Sequence, residues 1–322
     1  MSNTTNACAK SRIILDCDPG YDDAAALILA AGSPDIEILA VTTVAGNQTI
    51  EKVTRNARRV MALAGLTDVP LAKGATRPLI NPPVVCPEIH GETGLDGTTL
   101  ASEGEEVAVD SRHAAQLIVD IVMREPEGTV TLVPTGPLTN IALAVRLEPK
   151  IVERVKTVVL MGGGCRIGNV GPFAEFNIEN DPEAAAIVFE EKWRKLVMVG
   201  LDLTYQARAT PDVRASFKAI NTPAAQFLYE VLEAFGEKYR KNRGFDAPPL
   251  HDPCAVAYVI DPTVVEADPA PIHVELAGAH TRGMTVTDLR RPAPEGTTTH
   301  AALRLDAPRF WAMLRDAAAR LG

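Results

Sequence analysis

The sequence contains no uninterrupted apolar run of the ~18 residues that a membrane-crossing helix requires. Its opening residues have neither the basic start nor the apolar middle of a secretory signal, so a cytoplasmic location is expected. Cysteine is scarce: Cys8, Cys17, Cys86, Cys165 and Cys254 stand far apart with no C-x-x-C pair. That removes a zinc pattern and a disulfide framework and leaves the five as reduced bystanders. There is no Ser-, Gly- or Pro-rich linker and no fixed-period repeat, so nothing marks a place to divide the chain. Positive charge is in deficit, 32 Lys and Arg against 41 Asp and Glu, for a formal net charge of −9. A nucleic-acid backbone or an anionic membrane surface is therefore a poor partner, and a neutral small molecule a good one.

What is present is apolar material for a large core, 46% of 322 residues. Short runs rich in Val, Ile and Leu alternate with longer helical patterns, the mark of a parallel sheet covered on both faces. Strands are expected at 12–17, 36–44, 129–133, 157–161 and 196–201. Helices are expected at 23–31, 50–64, 112–123, 138–147, 182–189, 224–242 and 253–260. After Pro271 the pattern changes to strands at 273–276, 284–289 and 300–305 and a closing helix at 309–321. The expected fold is an open, mostly parallel, Rossmann-like α/β sheet with helices on both faces and a small C-terminal β/α extension. It forms a single domain over 12–322 behind a flexible start at 1–11. Ligands of such sheets sit beyond the carboxyl ends of the strands, so the residues just past each strand matter most.

One of those ends is Asp16-Cys17-Asp18-Pro19-Gly20-Tyr21-Asp22-Asp23, four aspartates on a strand end and the first turn of a helix. Asp22 or Asp23 could simply cap the helix. Four together repel one another unless a helix N-terminus or a bound cation offsets the charge, and the clustering favours the cation. Oxygen ligands without a His or Cys pattern point to a hard ion, calcium or magnesium, of which calcium tolerates irregular, bidentate coordination. A further carboxylate arrives late, in Leu250-His251-Asp252-Pro253 at the entrance of an apolar helix, where Asp252 alone would serve as a cap. Gly168-Asn169 and Ala174-Glu175-Phe176-Asn177 place amides and a carboxylate with little basic charge around them, a set suited to hydroxyl groups. Gly162 to Gly164 lack the spacing of a dinucleotide loop. The helix at 224–242, with Phe227, Leu228, Val231, Leu232 and Phe235, is expected to face the core.

Taken together, these residues resemble the nucleoside hydrolase family, in particular its inosine-uridine preferring type, whose DxDPGxDD signature stands at residues 16–23. The resemblance continues in order through Thr42-Thr43-Val44-Ala45-Gly46-Asn47, Ile89-His90-Gly91-Glu92, Val133-Pro134-Thr135-Gly136-Pro137-Leu138-Thr139-Asn140, Ala174-Glu175-Phe176-Asn177 and His251-Asp252-Pro253. It implies one Ca²⁺ per subunit, held by Asp18, Asp23, Asp252 and the Thr135 carbonyl, with waters and the ribose 2′ and 3′ hydroxyls completing the shell. It implies a ribose gripped by Asp22, Asn47, Asn169, Glu175, Asn177 and Asp252, with Phe176 lining the sugar pocket. His90, Tyr239 and Arg243 match positions near the base. Asp18 is expected to take a proton from the attacking water. His251, with an ordinary pKa near neutrality, would give one to the departing base. The resemblance further implies a ribonucleoside substrate and a homodimer or homotetramer. Loops at 81–88 and 244–250 match no specificity pattern and are where a mobile lid is expected.

Two other readings start from the same aspartates. A haloacid-dehalogenase-like phosphatase also begins with Asp-x-Asp after a buried strand, but Pro19-Gly20-Tyr21 is the wrong continuation. A non-catalytic calcium-dependent sugar-binding protein would keep Asp18 and Asp252 and have no use for His251 beside them.

Overall fold

A computed structural model describes residues 10–100 and 107–322. The eleven strands are β1 (Ser11–Cys17), β2 (Ile36–Thr43), β3 (Leu71–Lys73), β4 (Val109–Asp110), β5 (Val130–Pro134), β6 (Thr157–Met161), β7 (Leu196–Val199), β8 (Val265–Pro269), β9 (Ile272–Val274), β10 (Thr285–Thr287) and β11 (Thr299–Leu305), counted among the described residues. Nine of them form one sheet in the order β4-β3-β2-β1-β5-β6-β7-β11-β8. All neighbours are parallel except β11 and β8. The small β9/β10 pair stands apart as an antiparallel ribbon.

Period-two alternation explains why these strands are apolar almost throughout. Ile13, Leu15 and Cys17 face one core while Ile14 faces the other, and Val159 and Met161 oppose Val158 and Leu160 in the same way. Helices then cover both faces. The Ile50–Leu63 helix buries Ile50, Val53, Ala57, Val60 and Met61 at helical spacing and leaves Glu51 and Arg55 to solvent. The Tyr21–Gly32 helix is buried at all but one of its 12 positions. Its Gly32 lies against the closing Ala307–Arg320 helix, where a Cβ would come 2.3 Å from the Ala317 carbonyl oxygen.

The chain runs outward from β1 through β2 and β3 to β4, then returns to lay β5 on the other side of β1. The strand order therefore reverses between β1 and β5, and the crevice that such a reversal opens lies at their carboxyl ends. Pairing continues just past the strands: the Thr135 amide donates to the Asp16 carbonyl at 2.7 Å and the Val44 amide to the Cys17 carbonyl at 3.0 Å. Asp18, Val44 and Thr135 are thus drawn together from three separate stretches.

The expected sheet, its five parallel strands and the seven internal helices are present, with three differences. The strand expected to reach residue 201 stops at Val199, because Gly200 caps a short helix, Leu201–Thr204. β3, β4 and β8 were not expected. The C-terminal strand is no mere extension: β11 enters the central sheet, parallel to β7 at Thr299↔Leu196, and carries β8 on its outer edge. Of the start expected to be flexible, residues 1–9 lie outside the described residues, and Ser11 already belongs to β1.

Candidate active site

Five aspartates meet the crevice, and they do different jobs. Asp16, on β1, points to the opposite face from Leu15: its Oδ1 accepts from Thr42 Oγ1 at 2.6 Å and from Asn140 Nδ2 at 2.8 Å. Asn140 also donates to the Thr43 carbonyl, so Asp16 ties β1 to β2 and to the helix after β5. The cluster read from sequence thus loses one member to architecture. Asp22 and Asp23 sit in the first turn of the helix that Gly20 caps. Asp23 accepts from the Asp18 and Gly20 amides, from Thr135 Oγ1 at 2.8 Å and from Asn47 Nδ2 at 3.1 Å. Asp252 precedes Pro253 at the start of its helix yet makes no side-chain cap, which removes the bland explanation for it.

Asp18 is fully buried, with Oδ2 accepting from the Asn47 amide at 2.6 Å and Oδ1 left without a partner. The space for it exists because two residues lack side chains. A Cβ on Gly46 would stand 2.1 Å from Asp18 Oδ2, and one on Gly136 would stand 2.7 Å from Oδ1. Gly46→Ala is therefore expected to push the carboxylate aside and to lower kcat/KM for a nucleoside substrate by about 100-fold, the usual scale for an ångström of misplacement. Gly171→Ala, where a Cβ meets nothing within 4 Å, should stay within about two-fold. Steady-state rates of the two variants check this, and equal rates would show that the Asp18 position is not demanding.

The oxygens of Asp22, Asp23 and Asp252 lie within 4.8 Å of one another. Such proximity is costly in a buried place. Burial, followed by Asp23, lifts Asp22 to about 8, and burial together with neighbouring aspartates lifts Asp18 and Asp252 well above the carboxylate range. Burial raises Asp23 as well, against the hydrogen bonds it accepts from Thr135 and from the Gly20 and Asp18 amides, so the whole group is held above the ordinary carboxylate value. Unpartnered Oδ1 atoms on Asp18 and Asp22 complete a donor set of hard oxygens, which fits a hard divalent ion. The structure groups Asp22 with Asp23 and Asp252, whereas the resemblance names Asp18 in that place; Asp18 stands directly behind, joined to Asp23 through its amide.

The cavity in front is lined by Asp22, Asn47, His90, Thr135, Asn169, Glu175, Phe176, Asn177, Tyr239, Arg243, His251 and Asp252. Asp18 and Asp23, with no exposure, lie beneath that wall. Asn177 Nδ2 donates to the carbonyls of Thr135 at 2.8 Å and Met161 at 3.2 Å, tying β5 to β6 at the floor. Glu175 caps its helix with a single oxygen: Oε2 accepts from the amides of Gly163, Asn177 and Ile178, leaving Oε1 for a ligand. Burial pushes its carboxyl up to about 7 against those bonds. Asn169 Oδ1 accepts from the Phe176 amide, and Arg243 reaches across the mouth to the Asn169 carbonyl at 2.9 Å.

Opposite the carboxylates stands an aromatic wall. His90 packs between Tyr21 and Phe235, and Tyr205 and Tyr239 flank His251 with Phe245 packed against both. Burial pushes the imidazole of His90 down to about 3 and that of His251 down to about 4. Burial thus moves His251 away from its ordinary near-neutral value and favours the uncharged ring. It holds Thr204 Oγ1 on Nδ1 at 2.7 Å and the Tyr239 hydroxyl on Nε2 at 3.0 Å. Burial and nearby Asp22 raise the Tyr239 phenol above its ordinary value. Sequence reading missed Thr204, Tyr205, Phe245 and Val170 and took Cys86 as a bystander although it lines the cavity, while Phe235 is buried in the core as expected and also borders the cavity. Apart from the spacing of Phe235 and Tyr239 one helical turn apart, no local signal marks them.

Comparison with known proteins places this arrangement. The family model described as inosine-uridine preferring nucleoside hydrolase matches residues 13–312. The inosine-uridine preferring nucleoside hydrolase of Crithidia fasciculata is 52% identical over 97% of this chain and 98% of its own length, and that of Leishmania major is equally similar. A pyrimidine-specific ribonucleoside hydrolase of Photobacterium profundum is 46% identical over 86% of this chain and 88% of its own. Among solved structures, a purine-preferring ribonucleoside hydrolase from Gardnerella vaginalis superposes with a TM-score of 0.89 at 33% identity, covering 96% of this chain and 98% of the other. A likeness that spans the whole sheet, from β1 to the closing helix, leaves no room for the phosphatase reading. The chain belongs to the inosine-uridine preferring nucleoside hydrolase family and is an enzyme that hydrolyses the N-glycosyl bond of ribonucleosides.

Proposed function

We propose that the enzyme is calcium-dependent, that inosine and uridine are both substrates, and that it serves nucleoside salvage as a cytoplasmic homodimer or homotetramer. The observation that carries the central part of this reading is the buried set of Asp18, Asp22, Asp23 and Asp252 at the strand-order reversal, with Asp18 Oδ1 and Asp22 Oδ1 unpartnered and oxygens of Asp22, Asp23 and Asp252 within 4.8 Å of one another. Acceptance of both bases is supported by relatives at 52% identity that are named for inosine and uridine.

Calcium, held by Asp18, Asp23, Asp252 and the Thr135 carbonyl, would supply a fixed double positive charge that attracts a sugar diol and makes nearby water more acidic. The residues do the rest. Asp22, Asn47, Asn177 and Asp252 take the ribose hydroxyls, and Glu175 Oε1 and Asn169 close the sugar pocket beside Phe176. Asp18 accepts the proton as water attacks C1′. Bond breaking leaves an oxocarbenium-like sugar, and a wall of carboxylates and amide oxygens stabilises that charge where it develops. On the far side His251 and Tyr239 meet the base, with His90 and Arg243 at its edge.

Incubation with inosine and with uridine in calcium-containing buffer is expected to release ribose, read as reducing sugar. No reducing sugar from either nucleoside would reject the reading. A sugar-binding protein would retain ribose without turnover. Because the diol is a recognition element, 2′-deoxyinosine should be hydrolysed on the order of 100-fold more slowly than inosine, the loss expected when buried polar groups go unpaired. Equal kcat/KM values would separate the diol from the acidic cluster.

A further inference from the structure

The short Leu201–Thr204 helix that follows β7 ends with a hydroxyl aimed at an imidazole: Thr204 Oγ1 lies 2.7 Å from His251 Nδ1. The ring's other nitrogen, Nε2, lies 3.0 Å from the hydroxyl of Tyr239. All three side chains are buried, and Thr204 has no exposure at all. Their protons can be followed one at a time. A threonine hydroxyl shut away from water has one proton to donate and needs an acceptor for it. Among the described residues the hydrogen bond of Thr204 Oγ1 runs to His251 Nδ1. Nδ1 therefore accepts, the ring's single proton sits on Nε2, and Nε2–H donates to the Tyr239 oxygen. That oxygen, having accepted, sends its own O–H elsewhere. Tyr239 lines the cavity, which leaves its O–H free for a ligand there.

We propose that Thr204 is a positioning residue for departure of the base: it fixes the tautomer and ring plane of His251, so that the donor the departing base meets is the Tyr239 hydroxyl, with His251 acting behind it. The proposal rests on the hydrolase reading above and refines its leaving-group side. Three donors aligned head to tail polarise one another, so each strengthens the next. As the C1′–N bond breaks, its electron pair stays on the base nitrogen and the Tyr239 O–H holds the resulting charge. His251 keeps its Nε2 proton, and a solvent proton neutralises the base on release.

Thr204→Val keeps the shape and deletes the hydroxyl, while Thr204→Ser restores it. With inosine, Thr204→Val is expected to lower kcat/KM by about 10- to 100-fold, and with p-nitrophenyl riboside, whose leaving group departs without help, by less than about three-fold. Thr204→Ser should return the inosine value to within about three-fold of the parent. The double variant Thr204→Val/Tyr239→Phe should cost no more than Tyr239→Phe alone, because the two act in one chain. Ring ¹⁵N NMR of His251 in the parent enzyme should show the proton on Nε2. Equal losses on both substrates, additive effects in the double variant, or a proton on Nδ1 would each overturn the proposal. If the parent enzyme hydrolyses neither substrate, the hydrolase reading fails, and the NMR spectrum still decides where the imidazole proton lies.

Discussion

Asp18→Asn is expected to lower kcat/KM for inosine by on the order of 10² to 10⁴, the range that a positioned general base supplies, and to do so without lowering the melting temperature of the cation-free protein. The two halves of this result have one cause. Asp18 has no exposure, one oxygen bonded to the Asn47 amide and the other to nothing. Its neighbours are Asp22 and Asp23, and burial with their charge holds its acidity far from the ordinary carboxylate value. A group held so is there for chemistry and not for stability. The amide of the variant fills the same space between Gly46 and Gly136 but cannot accept the proton of an attacking water. A small loss of rate, or a loss of rate explained by unfolding in a thermal melt, would remove Asp18 from the role of base.

Removal of divalent cation by a chelator is expected to abolish turnover, and added calcium to restore it. The same treatment should destabilise the fold in a pH-dependent way whose sign follows from the site. The folded-state acidities of Asp18, Asp22 and Asp252 are all weakened, with Asp22 at about 8. Above the ordinary carboxylate pKa the folded protein binds more protons than the unfolded chain, so cation-free stability falls as pH rises from about 4 towards 8. A cation that binds the folded state replaces those protons and adds about 2.7 kcal/mol at a hundredfold excess over its Kd. Melting temperatures measured across that range, with and without calcium, should therefore converge at low pH and diverge at high pH. A constant gap, or none, would mean that the ion does not sit among these carboxylates.

The parts of the molecule that could be read in advance are those in which local sequence and tertiary position coincide. Asp18, Asp22 and Asp23 stand within one turn of a strand end, Thr135 follows β5 directly and Asp252 opens a helix, so their convergence follows from a parallel sheet and its reversal point. Asp16 shows the limit of that logic. It shares the motif but not the site, because its carboxylate is taken up by Thr42 and Asn140 inside the sheet. β3 and β4, of three and two residues, are too short to carry a pattern. The entry of β11 into the sheet depends on pairing with β7, about a hundred residues earlier, which no local periodicity reveals. The aromatic wall was hidden for a related reason: Phe235, Tyr205 and Phe245 are apolar residues on helices and loops, and only packing tells a cavity wall from a core. The lowered basicity of His251 comes from burial beneath that wall and could not be read from its neighbours in sequence.

The acidic cluster is the claim on which the rest depends, and a crystal grown or soaked with calcium and a ribose mimic tests it most directly. The account predicts a single ion at about 2.3–2.6 Å from oxygens of Asp18, Asp23, Asp252 and the Thr135 carbonyl, with the sugar diol in the same shell. Density for the ribose mimic with no ion between Asp18 and Asp252, or an ion elsewhere on the surface, would contradict it.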